Sequence, residues 1–150
     1  MTTLESVEAT ETASPARNWR LSLAGLALVS GWIYAYGIWN GVISSYYGSI
    51  AMSMSKSWSN WWFGAADPAG TITLDKIPGS YWFPALSVKL FGFSTWSVVL
   101  PNALATAATA VIVAIAAKHF AKTPVAILAG FIFALTPIVA AVARSNQPQS

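Results

Sequence analysis

Apolar residues in this chain run in long blocks rather than in short alternations. No charged residue occurs over 21–55, 90–117 or 123–143. A helix needs roughly 20 mostly apolar residues to cross the hydrocarbon of a bilayer. Residues 21–39, 97–117 and 125–143 meet that length. The pattern therefore predicts an all-α polytopic membrane protein with three transmembrane helices. The last two form a hairpin through the short turn at Lys118, His119 and Lys122. One face of the second span holds Ala105, Thr106, Ala107, Ala108, Thr109 and Ala110, small residues that let membrane helices approach closely. Pro101 and Pro137 lie near the outer ends of their spans, where a kink is tolerated if the freed carbonyls find partners.

Between the first two spans the rhythm changes. From 45 to 62, Tyr47, Ile50, Ala51, Met54, Trp58, Trp61 and Trp62 recur at intervals of three and four, while Ser45, Ser49, Ser53, Lys56 and Asn60 occupy the opposing stripe. That spacing predicts one amphipathic helix with tryptophans at one end, lying in the membrane interface. Asp67-Pro68-Ala69-Gly70 reads as a turn in which the aspartate bonds the backbone ahead. Thr71 to Leu74 is β-prone and leads into Asp75-Lys76 and Pro78-Gly79. A second short helix is expected from Ser80, capped by that serine, with Pro84 in the first turn. The expected layout is a disordered cytoplasmic tail over 1–19, a first span over 20–40 and a large loop with interfacial helices over 41–95. A helical hairpin over 96–143 and the start of a further loop over 144–150 complete it.

Composition agrees with a membrane class. Charged residues make up 9% of the chain and hydrophobic ones 55%, where a soluble domain carries about 25% charged residues. The net charge of +3 is small and scattered, so no nucleic-acid partner is expected. The absence of cysteine excludes disulfides, thiol catalysis and cysteine metal sites. Arg17 and Arg20 precede the first span as in a signal peptide, but the apolar run is long and ends in bulky aromatics, which favours a retained span. Those two arginines and the Lys118/Lys122 turn cluster at span ends. Placing both clusters inside makes the 41–95 loop extracytoplasmic by the positive-inside rule. Lys56, Lys76, Lys89 and Arg144 then lie outside, a four-to-four tie in count that tight clustering decides.

Candidate chemistry concentrates in this loop, which holds Asp67, Asp75, Lys76 and four of the eight tryptophans. A carboxylate can take a proton from an attacking hydroxyl or hold a divalent ion through oxygen. A lysine ammonium can offset charge on a phosphate. At a membrane surface, a polyprenyl-phosphate sugar is the natural phosphate-bearing substrate. The plainer readings stay open: Asp67 as a turn former, and Asp75-Lys76 as a solvated pair. His119 sits in the other turn and reads as a headgroup contact. No glycine-rich nucleotide loop, serine elbow or histidine metal pair is present. No charged residue lies inside a span, so an ion path has no lining.

Several segments occur in a familiar order: Tyr46-Tyr47, Ser53 to Trp58, Asp67 to Gly70, Thr73 to Pro78, Leu90 to Ser94 and Leu100-Pro101. Over about 20–150 the chain resembles the N-terminal part of bacterial membrane glycosyltransferases of the GT-C fold. The similar group is the protein-mannosyltransferase and aminoarabinose-transferase-like family, in its actinobacterial branch. The resemblance implies an enzyme of the plasma membrane that passes a mannose-like or arabinose-like sugar from a polyprenyl-phosphate donor to a protein, lipid or glycan, among membrane lipids. It also implies that the first extracytoplasmic loop lies over the active site. An acidic-lysine pair before a proline and Tyr-Trp matches Asp75, Lys76, Pro78 and Tyr81-Trp82. By that match Asp75 is a ligand to a divalent metal ion and Lys76 a contact to the donor phosphate. Tyr46, Tyr47 and Arg144 are substrate-binding candidates on the same ground.

Two departures from the family pattern matter. Many relatives carry an acid just after the first span, where this chain reads Val42-Ile43-Ser44-Ser45-Tyr46-Tyr47. Asp67 is the remaining nearby carboxylate and becomes the candidate catalytic base. Arg144 to Gln149 resembles a motif that often ends in an acid, absent here, and family members continue well past this length. The expectation is an N-terminal segment of such an enzyme. The alternative is a catalytically silent truncated paralogue or a membrane assembly subunit.

Overall fold

The computed structural model describes residues 15–41 and 43–146. The chain forms α1 (Pro15–Ala35), a 3-10 turn (Ile38–Asn40), α2 (Ser45–Met54), α3 (Trp58–Phe63), α4 (Gly79–Phe91), α5 (Thr95–Lys118), α6 (Thr123–Leu135) and α7 (Pro137–Ala143). Of the tail expected over 1–19, residues 1–14 lie outside the described residues, and from Pro15 the chain is already helical. No strand forms among the described residues; the β-prone stretch makes one antiparallel bridge, Ala65 to Thr73.

Two helical segments are long and apolar enough to cross a membrane, Ala16–Asn40 and Thr95–Lys118. The expected third span is not continuous. It breaks at Thr136, where α6 and α7 meet at 61° and count as one crossing only as a bent pair. Pro137 explains the break. Its ring clashes with the carbonyl four residues back, and it drives the preceding residue out of the helical region. Thr136 accordingly sits at φ −65°, ψ 120°. The carbonyls around the break are met by other donors. Thr136 Oγ1 donates to Ile132 O at 2.7 Å, the Thr136 N–H donates to Phe133 O at 3.2 Å, and Tyr34 Oη donates to Ala134 O at 2.9 Å from α1. In an apolar medium such partners decide whether a broken helix is tolerated.

α5 packs along both α1 and α6. Two of the small residues expected, Ala107 and Ala110, are buried in its seam with Ala103, Tyr34 and Ala134, whereas Ala105, Ala108 and Thr109 are exposed. Gly130 marks the closest approach, since a Cβ there would lie 2.9 Å from the Ala110 carbonyl and 3.1 Å from the Ala114 Cβ. Only a residue without a side chain lets the α6 backbone come that near. A Ser94/Ser97 capping box starts α5: Ser94 Oγ accepts from the Ser97 N–H at 3.3 Å, and Ser97 Oγ accepts from the Ser94 N–H at 3.0 Å.

The first loop folds on itself and against the end of α5. The single helix expected over 45–62 is two helices, broken at Ser55-Lys56-Ser57. Ser57 caps the second by accepting from the Asn60 N–H at 3.0 Å, a local bond that competes with helix continuation. The apolar stripe of α2 does not face lipid. Ile50 and Met54 pack with Leu74, Tyr81 and Ala85, and Ala51 packs with Val88 of α4 and Val98 of α5. Two members of the expected polar stripe are also buried. Ser53 lies in α2's packed side, and the Asn60 amide donates to Ser53 O at 3.3 Å and Pro68 O at 3.0 Å. The next helix starts at Gly79 rather than Ser80. Pro78 holds the N-cap position at helical angles without a side-chain bond, and Pro84 falls in the second turn.

Candidate functional site

The predicted loop residues divide into two groups. Asp67 belongs to the loop itself. Its carboxylate accepts from the backbone N–H of Ala69 (3.1 Å), Thr71 (2.8 Å) and Ile72 (2.7 Å), and from Thr71 Oγ1 (3.1 Å). These donors, the Ile72 N–H first, hold its pKa below the usual carboxylate range. A catalytic base needs an open lone pair and a pKa near working pH. In this structure the Asp67 carboxylate is engaged by four donors in closing the loop. The sequence-based alternative, a turn former, is the arrangement found.

Asp75 sits in a different setting. Tyr46 Oη donates to Asp75 Oδ1 at 3.4 Å, joining residues 29 apart in sequence. Tyr46 meets Tyr47 edge-on at 5.1 Å, and Tyr47 stacks on Tyr81 at 5.9 Å. Three tyrosines and one carboxylate thus come together from α2, the Leu74–Ile77 turn and α4. Tyr81 is buried, and that burial, ahead of the nearby Tyr47 and Asp75, pushes its hydroxyl pKa up. The Tyr46 hydroxyl is also raised, by desolvation first and then by the Asp75 charge. Both phenols are therefore neutral donors at ordinary pH. The Tyr81 hydroxyl has no hydrogen-bond partner among the described residues. Lys76 is exposed next to Asp75 and makes no ion pair or hydrogen bond among them.

Beside this cluster lies a half-open cavity of about 290 Å³, formed where the loop meets the ends of α5 and α7. Tyr47 and Tyr81 line it on the loop side, and Val98, Pro101, Asn102 and Asn146 on the other. Tyr46, Asp67, Asp75, Lys76 and Arg144 are not among its lining residues. Arg144 instead directs Nη2 onto the Tyr36 carbonyl at 2.8 Å, at the end of α1. Gly37 follows in the left-handed region at φ +73°, and a Cβ there would lie 3.3 Å from that nitrogen. The sequence reading missed Asn102 and Asn146 as cavity residues. Asn146 lies inside the Arg144–Gln149 motif, but nothing local shows that its side chain turns inward.

The donor set for a metal is thin. No group of three or more His, Cys, Asp or Glu side chains comes together among the described residues. The described part of the chain does not build a metal site by itself, and Asp75 could serve as one ligand at most. The tryptophans have structural partners: Trp61 stacks on Trp82 at 5.4 Å, Trp62 stacks on Trp82 at 5.4 Å, and Trp61 Nε1 donates to Trp82 O at 2.8 Å. Lys89 lies 4.9 Å over the Trp58 ring and donates to Ser55 O at 3.3 Å, so its charge is engaged at the end of α2.

Apolar helices with a folded polar loop set across their ends define the class: an all-helical membrane protein with a cavity under its loop. Residues 75–150 match a family profile described as dolichyl-phosphate-mannose-protein mannosyltransferase. Over 123 residues the chain is 38% identical to "Putative mannosyltransferase YkcB" of Bacillus subtilis (strain 168), covering 81% of this chain and 17% of that protein. Over 126 residues it is 32% identical to "Putative mannosyltransferase YycA" of the same organism, covering 83% and 18%. The chain belongs to the dolichyl-phosphate-mannose-protein mannosyltransferase family, whose members are GT-C membrane glycosyltransferases. It spans less than a fifth of the length of these two relatives. No solved structure matches it significantly.

Proposed function

We propose that this chain forms one wall of the active site of a plasma-membrane glycosyltransferase. The enzyme moves a mannose-like or arabinose-like sugar from a polyprenyl-phosphate donor to a protein, lipid or glycan acceptor. One observation carries the reading: Tyr46-Tyr47 and Asp75-Lys76, distant in sequence, meet through the Tyr46–Asp75 bond and the Tyr47–Tyr81 stack. This happens in a chain whose relatives carry mannosyltransferase names.

The roles follow from exposure and charge. Lys76 has an unengaged ammonium and is the contact for the donor phosphate. Asp75, the adjacent residue, is likewise exposed. It is the chain's acidic group at the site, acting toward the acceptor hydroxyl or as a single ligand to a divalent ion. Magnesium is commonly held by one or two carboxylates plus phosphate oxygens; no step is routed through it here. A buried hydroxyl without a partner costs about 1–3 kcal/mol, so the Tyr81 phenol is assigned to donate into the cavity it lines, to a sugar or phosphate oxygen. Tyr47 keeps that ring in place by stacking. Arg144 keeps N–H groups beyond the one on Tyr36 and is the second cation available to the donor.

We place the bent α6–α7 pair as a third crossing and the loop on the extracytoplasmic side. Exposed Trp58, Trp62 and Phe63 would then sit at headgroup depth. The test is sugar transfer by native membranes given labelled polyprenyl-phosphate mannose or arabinose. Transfer that disappears when the gene is removed supports the enzyme. A protein silent with every such donor and acceptor supports the catalytically inert alternative.

A further inference from the structure

α2 carries Tyr46 and Tyr47 in its first turn, yet nothing local fixes where that turn begins. Its N-cap residue, Ser44, makes no side-chain cap bond. The residue three positions on is Tyr47, which cannot reach back to the Ser44 N–H as a capping-box glutamate or glutamine would. α5 shows what the chain does where a local box exists, at Ser94 and Ser97. For α2 the partner comes from 102 residues away. Asn146 Oδ1 accepts from the Ser44 N–H at 2.8 Å, and Asn146 Nδ2 donates to Ser44 O at 3.1 Å. The same Ser44 carbonyl accepts the Gly48 N–H at 2.9 Å. One side-chain amide thus grips both backbone polar groups of the residue from which α2 starts.

The grip is itself held. Asn146 is 6% exposed and lines the cavity. Asn102 Nδ2 donates to Ser145 O at 3.1 Å, and Arg144 Nη2 donates to Tyr36 O at 2.8 Å. The segment after α7 is therefore tied to α5, to the end of α1 and to the start of α2. Rotating or shifting the first turn of α2 would move Tyr46 off Asp75 and Tyr47 off Tyr81.

We propose that Asn146 is a positioning residue for the transfer reaction: it caps α2 in trans and sets Tyr46 and Tyr47 against Asp75 and Tyr81. This rests on the transferase reading above. Asn146 touches no reacting atom; it acts through Ser44 and the two tyrosines.

The experiment uses the protein as its gene encodes it, in native membranes, as wild type, Asn146→Ala and Asn146→Asp. Two readouts are taken: amide exchange of the peptide covering 43–49, and the kinetics of sugar transfer per folded enzyme. The alanine variant should exchange about tenfold or more faster in that peptide, as the loss of both side-chain bonds to Ser44 implies. Its kcat should fall about 10- to 100-fold, the scale of a small misplacement of catalytic groups, with KM changed far less. The aspartate keeps the acceptor for the Ser44 N–H and loses the donor, so it should be intermediate in both. Unchanged exchange over 43–49 in Asn146→Ala overturns the proposal. So does a variant that only lowers yield or melting temperature while kcat per folded enzyme stays at the wild-type level. If wild type itself transfers nothing, the transferase reading fails and the proposal goes with it; the exchange readout then reports on the cap alone.

Discussion

Asp67 and Asp75 are eight positions apart and do different work. The backbone around Asp67 points three N–H groups and one hydroxyl at a single carboxylate, which adds to the Ala65–Thr73 bridge in closing this short loop. The same donors lower its pKa, and the sign of the consequence follows. A depressed folded pKa contributes stability that is present above the unfolded value, about 3.9, and is lost as pH falls through the folded value. Amide exchange over 64–74, corrected for intrinsic rates, should be flat from neutral pH to about pH 4 and quicken below it. Asp67→Asn should be less protected throughout and show no such acid transition. Identical acid profiles for the two proteins would count against a charged Asp67 holding the loop. The turn at Asp67 was legible in the sequence from Asp-Pro-Ala-Gly. The four donors that engage its carboxylate were not, because no spacing rule reveals them.

Helix boundaries show the same division. The charge-free blocks marked all three apolar stretches, but not the break at Thr136. Proline at 101 lies within continuous α5, whereas proline at 137 separates α6 from α7. Around the break at Thr136, Thr136 and Tyr34 supply donors to the freed carbonyls. Tyr34→Phe removes one donor and leaves the Ala134 carbonyl in apolar surroundings. It should cost about 1 kcal/mol, the scale of hydrogen bonds between membrane helices, and lower the melting temperature of the purified protein. A melting temperature equal to wild type would mean the phenol does not support the break. The three- and four-residue rhythm over 45–62 correctly marked helix but misread its environment. Periodicity records that a face is buried, not whether lipid or protein buries it. Here α4 and α5 cover it, and the solvent stripe fails where Asn60 turns inward to bond Ser53 and Pro68.

The assembled chain places a folded loop across the ends of its spans, with a cavity between. Its spans were legible because charge is absent over long runs. Its cavity was not, because Asn146 and Ser44 are 102 residues apart and Tyr46 and Asp75 are 29 apart. The resemblance orders Tyr46-Tyr47 before Asp75-Lys76, and the Tyr46–Asp75 bond brings one residue of each pair together. The proposed orientation in the membrane rests on the clustered Arg17, Arg20, Lys118 and Lys122. Single-cysteine variants on an otherwise cysteine-free background report it; these 150 residues contain none to remove. Ser59→Cys should react with a membrane-impermeant maleimide in intact cells, and His119→Cys only after permeabilisation. The reverse pattern would invert the topology and place the loop inside.

The central claim is that the Asp75-Lys76 turn meets the phosphate-bearing donor. Its most direct measurement is initial-rate sugar transfer, at varied polyprenyl-phosphate donor, by native membranes holding equal amounts of inserted wild type, Lys76→Ala and Asp75→Asn. Loss of an electrostatic contact to a reacting phosphate predicts a fall in kcat/KM of about 100-fold or more for Lys76→Ala. Asp75→Asn should show a comparable loss. Wild-type transfer rates in both variants would contradict the account.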